Sequence, residues 1–333
     1  MHDVLFQVPA GVFGSDAVDV TLWSGAGLPW WGSLFTTFLL TLGVGFGVVV
    51  GFHRILTHRA CRLWRPLEVL VVFFGLPAGT PVQWIGNHRH HHAVSDTAKD
   101  AHSPRHHGFW TAHCGWYLET ANTWPAVLYA FAGPLRVFID GVWRPRSNQQ
   151  HVHLARDIAD DVIYGKVFSS KLGYLVCMST LATVPLVVTW FLFGVVGLAY
   201  LVVWEVIFYT AGDFINSLGH ASDAFALGTA PFKSNDESRN VGWLGWFAFG
   251  DGFHNAHHAF PRSARCGLLR GEVDVSWLFI HVCDRLGLAR EVYTPPVDKI
   301  VDRLHDKSLV LARDLEKQRA LPTPPVEEVP HAA

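Results

Sequence analysis

An uncharged apolar stretch, WWGSLFTTFLLTLGVGFGVVVG, runs from Trp30 to Gly51 near the start of the chain. An α-helix of about 20 residues crosses the hydrocarbon core of a bilayer, which is about 30 Å thick, so this stretch predicts a membrane span. Two further stretches of spanning length, 174–193 and 195–215, are almost adjacent and predict a helical hairpin. Only 16% of the residues are charged, against about 25% in soluble domains. We therefore expect an all-α integral membrane protein with about three transmembrane helices.

The distribution of positive charge predicts the orientation of these spans. All 26 Lys and Arg residues lie outside the three predicted spans. Because Lys and Arg concentrate on the cytoplasmic side of membrane proteins, residues 52–171 and 216–294 are predicted to form a cytoplasmic cap. The N-terminal segment, 1–29, then lies on the non-cytoplasmic side. Residues 30–294 are predicted to form one domain, and 295–333 a charged helix followed by a Pro-rich disordered tail.

Composition also argues against two other kinds of function. The formal net charge is −2, so there is no electrostatic case for binding nucleic acid. The five cysteines lie far apart and form no CxxC pair, so a thiolate metal site is not expected.

The histidines are unusually numerous and clustered. The chain has 20 of them, which is far more than an apolar chain of this kind would have by chance. Their grouping into short motifs predicts metal ligation. The motifs are HRILTH with His53 and His58, HRHHH with His88, His91 and His92, NSLGH with Asn216 and His220, and HNAHH with His254, His257 and His258.

The spacing within the motifs suggests how many ions they serve. Positions i, i+3 and i+4 of an α-helix share one face, so the histidines of the second motif should converge, as should those of the fourth. His53 and His58 are about 140° apart on a helix with 3.6 residues per turn, so they are predicted to serve different ions. His90 lies two residues after His88, points away from this face and is left out of the set.

A fourth apolar run, 67–84, has two interpretations. It is long enough to span a membrane, but Pro77, Gly79 and Pro81 interrupt it. If His53 and the second motif belong to one site, a single crossing by this run would separate them by the thickness of the membrane. We therefore predict a buried or re-entrant segment that protein covers.

The donor set is all nitrogen, apart from one asparagine. Imidazole suits Zn, Fe, Cu and Ni. A closed structural zinc site needs only four ligands, so nine histidines fit two ions with open coordination positions better.

At these residues the chain resembles the membrane fatty acid desaturases, in the branch that includes stearoyl-CoA desaturase and the bacterial acyl-lipid Δ9 desaturases. The resemblance covers about residues 45–275. It implies a helical cap that holds a histidine-rich di-iron site on the cytoplasmic face. The matching segments are GFHRILTHR, HRHHHAVSDTAKDAHSP, GFWTAHCGW, NSLGH and ESRNVGWLGWFAFGDGFHNAHHAFPRSARCGL.

The resemblance implies an oxidoreductase that uses two Fe ions and O2 to introduce a cis double bond. The substrate would be a saturated acyl chain carried on CoA or on a lipid, and the position would be Δ9. The sequence shows no haem-binding module and no ferredoxin-like cysteine cluster. Electrons from NAD(P)H are therefore expected to arrive through a separate ferredoxin, or through cytochrome b5 with its reductase.

The resemblance also implies ligands for each ion, with no catalytic residue beyond them. Carboxylates near the motifs in sequence, Asp96, Asp100 and Asp251, are expected to orient ligand imidazoles. One iron would take His53, His92, His220, His254 and His258, and the other His58, His88, His91 and His257, with Asn216 acting through a bound water.

The substrate side is less constrained. A flexible acyl chain needs a narrow apolar tunnel, which Trp84, Trp110 and Trp116 are predicted to line. The segment QWIGNHRHHH lacks the charged residues of the animal branch and is closer to the acyl-lipid branch, which leaves the carrier open. The animal enzymes have four spans, whereas here three are expected, unless residues 4–14 insert in part.

Two other classes of function are alternatives on the residues alone: oxygen insertion, and a zinc hydrolase or metal transporter. The same di-iron scaffold supports oxygen insertion, as in a hydroxylase, and the motifs do not separate this from desaturation. A membrane zinc hydrolase would need fewer histidines. A metal transporter would place ionisable groups at mid-membrane depth, whereas these motifs lie at the ends of spans and in the cap.

Overall fold

The computed structural model describes residue 28 and residues 31–143, 149–220 and 227–307. The predicted N-terminal segment and the tail after residue 307 therefore lie outside the described residues, residue 28 excepted. The described chain is mostly helical, with one two-stranded antiparallel sheet. Its α-helices and strands are α1 (Trp31–Phe46), β1 (Arg62–Leu63), α2 (Arg65–Gly75), α3 (Pro81–Val94), α4 (Pro104–His107), α5 (Phe109–His113), α6 (Thr123–Ala130), α7 (Pro134–Trp143), α8 (Arg156–Ala159), α9 (Lys171–Leu218), α10 (Gly242–Phe247), α11 (His254–Ala259), α12 (Val275–Arg285), β2 (Ala289–Arg290) and α13 (Val297–Arg303).

Shorter helical segments of other types connect these elements. They are the π-helices Gly47–Thr57 and Val162–Val167 and the 3-10 helices Leu76–Ala78, Gly115–Leu118 and Val152–Ala155.

Two helices in the described part of the chain are long and apolar enough to cross a membrane. The first is Trp31–Thr57, which joins α1 to the π-helix after it, and the second is α9. A third candidate is the pair of helices over Arg65–Ala78 and Pro81–Val94, which is bent by 73° at its break. Such a bend is what the re-entrant interpretation of residues 67–84 requires, and the number of crossings stays a prediction.

The helix α9 is interrupted at Gly194, whose φ of 66° and ψ of −158° are not helical. The short helix α7 and the glycine before it contact residues from both halves of α9. A Cβ atom at Gly133 would lie 2.9 Å from Val206, and one at Gly141 would lie 3.5 Å from Leu175. A straight helix would hold Leu175 and Val206 roughly 45 Å apart. The chain therefore folds back at Gly194, and each half exceeds the length of about 20 residues that a span needs.

The first spanning helix ends in π-helical geometry. Across Gly47–Thr57 the backbone follows the i→i+5 pattern, and the amide of His58 donates to the carbonyl of His53 at 3.1 Å. This segment packs backbone to backbone on α2, because a Cβ atom at Gly47 would lie 2.2 Å from the amide nitrogen of Gly75. Single π-helical turns are rare and often mark functional sites.

The main core lies where this π-helix, α2, α3 and the start of α9 meet. Val50, Phe52, Val72 and Ile85 are fully buried there. The hydroxyl of Tyr174 donates to a backbone carbonyl in the 3-10 helix after α2, at 2.9 Å. This packing holds the cap against the spanning helices and fixes the elements that carry the first two histidine motifs.

Candidate metal centre

The four histidine motifs, which are far apart in sequence, come together in one site. They lie at the end of the first spanning helix, on α3, after the end of α9 and on α11. The nine histidines form two groups, and within each group the ligand atoms lie within 4.8 Å of one another. Group A is His53, His58, His88, His92 and His257, and group B is His91, His220, His254 and His258.

This grouping differs from the division between two ions that the sequence analysis expected. His53 and His58 were assigned to different ions on the assumption of an ordinary α-helix. In the observed π-helix, residues five apart are successive hydrogen-bonded neighbours and lie on one face, and the two rings are 4.8 Å apart. The two groups also exchange His91 and His92 relative to the expected division.

Nitrogen atoms in group A lie at separations that neighbouring ligands of one metal ion adopt. The Nε2 atoms of His53 and His257 are 3.0 Å apart, and those of His257 and His92 are 2.9 Å apart. Two ligands at right angles, with metal–nitrogen bonds of about 2.1 Å, are roughly 3.0 Å apart. His58 adds a buried Nε2 that has no hydrogen-bond partner among the described residues. The residues of group A therefore fit a metal ion.

Group B has the same spacing. The Nε2 atom of His254 lies 2.8 Å from that of His220 and 3.1 Å from that of His258. The two groups are neighbours, since the rings of His92 and His258 are 4.4 Å apart. An imidazole donor set suits Fe as well as Zn, Cu and Ni, so the whole arrangement fits two adjacent ions.

Four carboxylates each accept a hydrogen bond from the Nδ1 atom of one of the nine histidines. This contact turns the Nε2 atom of the ring toward the centre. Asp96, Asp100 and Asp251 are the three carboxylates that the sequence analysis singled out, and each makes such a contact. The fourth was missed. The contacts are Asp251 to His53 at 2.7 Å, Asp100 to His91 at 3.0 Å, Asp96 to His220 at 2.9 Å and Asp236 to His258 at 2.6 Å.

We expect Asp236→Asn to weaken the site by roughly 10- to 100-fold in metal affinity or activity, the usual effect of removing an orienting carboxylate. The amide cannot replace the charge that holds the Nδ1–H of His258. Metal retention against a chelator, measured on the purified protein, checks this. Asp160→Asn, at an exposed position, is the matched control, and equal retention in the two variants would contradict the orienting role.

Burial keeps most of these imidazoles neutral. It lowers the pKa of six of them well below the ordinary histidine value, and neighbouring histidines lower it further. Burial also lowers the pKa of His91, to about 4, although Asp100 opposes the shift. At His220 the hydrogen bond and charge of Asp96 outweigh burial, so the pKa is raised. Neutral imidazole is the form that binds metal. The six histidines whose pKa lies well below the ordinary value are His58, His88, His92, His254, His257 and His258.

A largely apolar cavity of about 130 Å³ lies against both groups. Its wall includes His53 and His88 of group A and His91 and His254 of group B. The volume is roughly ten times that of the smallest void that holds a water molecule. Asn216 also lines the cavity, and its action through a bound water stays a prediction.

The three tryptophans predicted to line a substrate tunnel are not equivalent. Trp84 and Trp116 line the cavity, and the ring of Trp84 stacks on that of His88 with centroids 4.8 Å apart. Trp110 does not line this cavity; it packs against the cluster around Cys114, to which Trp116 also belongs. A place for Trp110 in a substrate tunnel stays a prediction.

Two residues outside the predicted set also bear on the site. His90 stacks on His151, with ring centroids 3.6 Å apart, and takes part in neither group, in agreement with its exclusion. Arg54, which the sequence analysis passed over, is buried and forms an ion pair with Asp274 at 3.0 Å. It also lies 3.5 Å from Asp251, the carboxylate that orients His53.

The fold and the site thus define a helical membrane protein with two adjacent histidine groups beside an apolar cavity. Residues 28–270 match the family model described as fatty acid desaturase. The chain belongs to the fatty acid desaturase family and is an oxidoreductase.

Its relatives include desaturases that act on different carriers and positions. The chain is 32% identical over 272 residues to Delta-9 acyl-lipid desaturase 2 of Arabidopsis thaliana, covering 80% of this chain and 76% of that protein. It is 32% identical over 273 residues to the sn-1 stearoyl-lipid 9-desaturase of Synechocystis sp., covering 80% and 72%. It is 31% identical over 270 residues to the icosanoyl-CoA 5-desaturase of Limnanthes douglasii, covering 80% and 66%.

Proposed function

We propose that the chain is an O2-dependent di-iron desaturase that introduces a cis double bond at Δ9 into a saturated acyl chain. The observation that carries the proposal is the position of both histidine groups in the wall of one apolar cavity. Relatives that act at position 9 on lipid-bound chains support the regiochemistry and a lipid carrier. A CoA carrier is also represented among the relatives.

Group A would hold one iron and group B the other, with Asn216 contributing through a water. When bound, the two irons supply the oxidising power that an unactivated alkyl C–H bond requires, because such a bond offers no acidity or charge for side chains to exploit. The part left to the protein is to hold the imidazoles neutral, to orient them and to keep the reacting carbons dry.

The cavity provides the orientation. Beside group A its wall is formed by Trp84, whose stacking on His88 fixes the ring plane next to the substrate. A smaller void shares Val44, Pro77 and Phe208 with the cavity and continues between α1 and α9. This void would receive the methyl end of the acyl chain, so that the carbons to be desaturated lie beside the metal groups.

The site is proposed to face the cytoplasm, on the basis of the positive charges in the cap. Electrons would come from NAD(P)H through a separate ferredoxin, or through cytochrome b5 with its reductase, which would dock on that side.

Expression in a host with simple lipids and a compatible electron donor tests the proposal. Derivatised acyl chains, read by mass spectrometry, should show a new monounsaturated acid with its double bond at Δ9. A hydroxy acid in its place would show oxygen insertion and contradict desaturation. No product from a protein shown to contain metal and to accept electrons would also contradict the proposal.

A further inference from the structure

A buried ion pair lies in the wall of the cavity. Arg136 of α7 donates to Asp213 of α9 at 2.7 Å, and both side chains are almost completely buried. The guanidinium lies against the rings of Tyr129 and Tyr209, 4.3 and 4.9 Å from their centroids. Its Nε atom is buried without a hydrogen-bond partner among the described residues.

A buried ion pair offers no stabilising contact to an apolar acyl chain. Removing two charges from water costs several kcal/mol per ion, so a buried ion pair is weak support for stability. Most other residues that line the cavity are apolar, among them Val44, Val48, Phe208 and Phe249. A cationic donor in this wall suits a polar atom of the substrate rather than its hydrocarbon chain.

The depth of the pair identifies that polar atom. From the turn at Gly194, α9 rises by roughly 28 Å to reach Asp213, which is close to the full thickness of a hydrocarbon core. Asp213 thus lies near the edge of the core, where the ester groups of membrane lipids lie. The helices α6 and α7 expose apolar side chains, as helices do at a membrane interface; these are Trp124, Leu128, Leu135, Phe138 and Val142.

The distance from the pair to the metal groups agrees with this assignment. Asn216 lies one helical turn after Asp213, and His220 of group B lies one turn further, so the pair is roughly 10 Å from group B along the helix. A saturated chain with carbon–carbon bonds of about 1.5 Å covers that distance in about eight bonds. A carbonyl carbon at Arg136 would therefore place the ninth carbon beside the metals.

We propose that Arg136, held by Asp213, binds the acyl carbonyl oxygen of a membrane lipid ester and so sets the position of the double bond. This inference rests on the proposed desaturase function and names its substrate class. Arg136 is then a substrate-binding residue, and Asp213 is a positioning residue that acts through it.

The test compares substrates with and without the carbonyl oxygen. Purified enzyme with its electron donor is placed in vesicles of dioleoyl phosphatidylcholine that contain either an sn-1 stearoyl ester lipid or the matching sn-1 octadecyl ether lipid. We expect the ether to lower kcat/KM by about tenfold or more, the loss of one hydrogen bond to a charged group, chiefly through KM. We also expect the ether to give a mixture of double-bond positions, and the ester to give one.

In Arg136→Gln the kcat/KM of the ester should fall to that of the ether, and the ester should give a mixture of double-bond positions. Arg136→Lys should restore part of the difference in kcat/KM between the two substrates. Arg290→Gln, at an exposed position, is the matched control. Metal content reports whether each variant is folded. If Arg136→Gln loses its metal, the comparison of ester with ether in the wild type and in Arg136→Lys still tests the proposal.

Equal kcat/KM values for ester and ether in the wild type would overturn the inference. It would also be overturned if folded Arg136→Gln kept the higher kcat/KM for the ester. Faster turnover of stearoyl-CoA than of the ester lipid would overturn the choice of a lipid ester. If the wild type desaturates neither lipid nor stearoyl-CoA, the proposed function itself fails, which is a distinguishable result.

Discussion

His257→Ala should reduce product formation below detection, whereas His90→Ala should keep most of it. The Nε2 atom of His257 lies about 3 Å from the Nε2 atoms of both His53 and His92. Loss of the His257 side chain therefore removes the ligand that lies between these two in group A. His90 lies outside both groups and stacks on His151. Product per folded chain, read by mass spectrometry of acyl chains, checks both variants.

The metal content of the same samples separates loss of a ligand from loss of the fold. We expect His257→Ala to retain less metal than His90→Ala at the same thermal stability in the metal-free state. Full activity in His257→Ala would contradict the assignment of group A.

Arg54→Ala should lower the free energy of unfolding by about 3–5 kcal/mol, the usual cost of leaving a buried charge without its partner. Arg54 forms an ion pair with Asp274 at 3.0 Å and donates to the carbonyl of Ala264 at 2.7 Å. It also lies beside Asp251, so its loss should weaken the orientation of His53. Thermal unfolding and metal retention of the purified protein measure the two effects.

The matched control for this change is Arg59→Ala. Arg59 pairs with Asp157, but its side chain is 65% exposed, and exposed ion pairs contribute about 1 kcal/mol or less. If Arg54→Ala unfolds no more easily than Arg59→Ala, the buried arginine does not support the site in the way that its contacts indicate.

The sequence predicted those parts of the site that depend on regular helices. The histidines of α3 and α11 converge because their i, i+3 and i+4 spacing places them on one face. His53 and His58 did not follow this rule, because their helix is π-helical where it packs against α2. The contact between Gly47 and Gly75 that accompanies this geometry is tertiary, and no local pattern reveals it.

Contacts between distant segments account for the other differences. Asp236 lies 22 residues before His258, and Arg54 reaches Ala264 across 210 residues, so spacing alone could not identify either residue. The acidic segment SNDESRN between the third and fourth motifs was an available signal for Asp236. Trp110 lies closer in sequence to the second motif than Trp116 does, yet it is Trp116 that lines the cavity, so proximity in sequence does not decide which side chain reaches it.

The number of irons per chain tests the central claim most directly. The chain would be purified with iron supplied throughout, and its metal content and activity would be measured on the same sample. Two irons per chain, with activity proportional to iron content, is the result that two adjacent histidine groups predict. One metal per chain in fully active protein would contradict a two-metal desaturase.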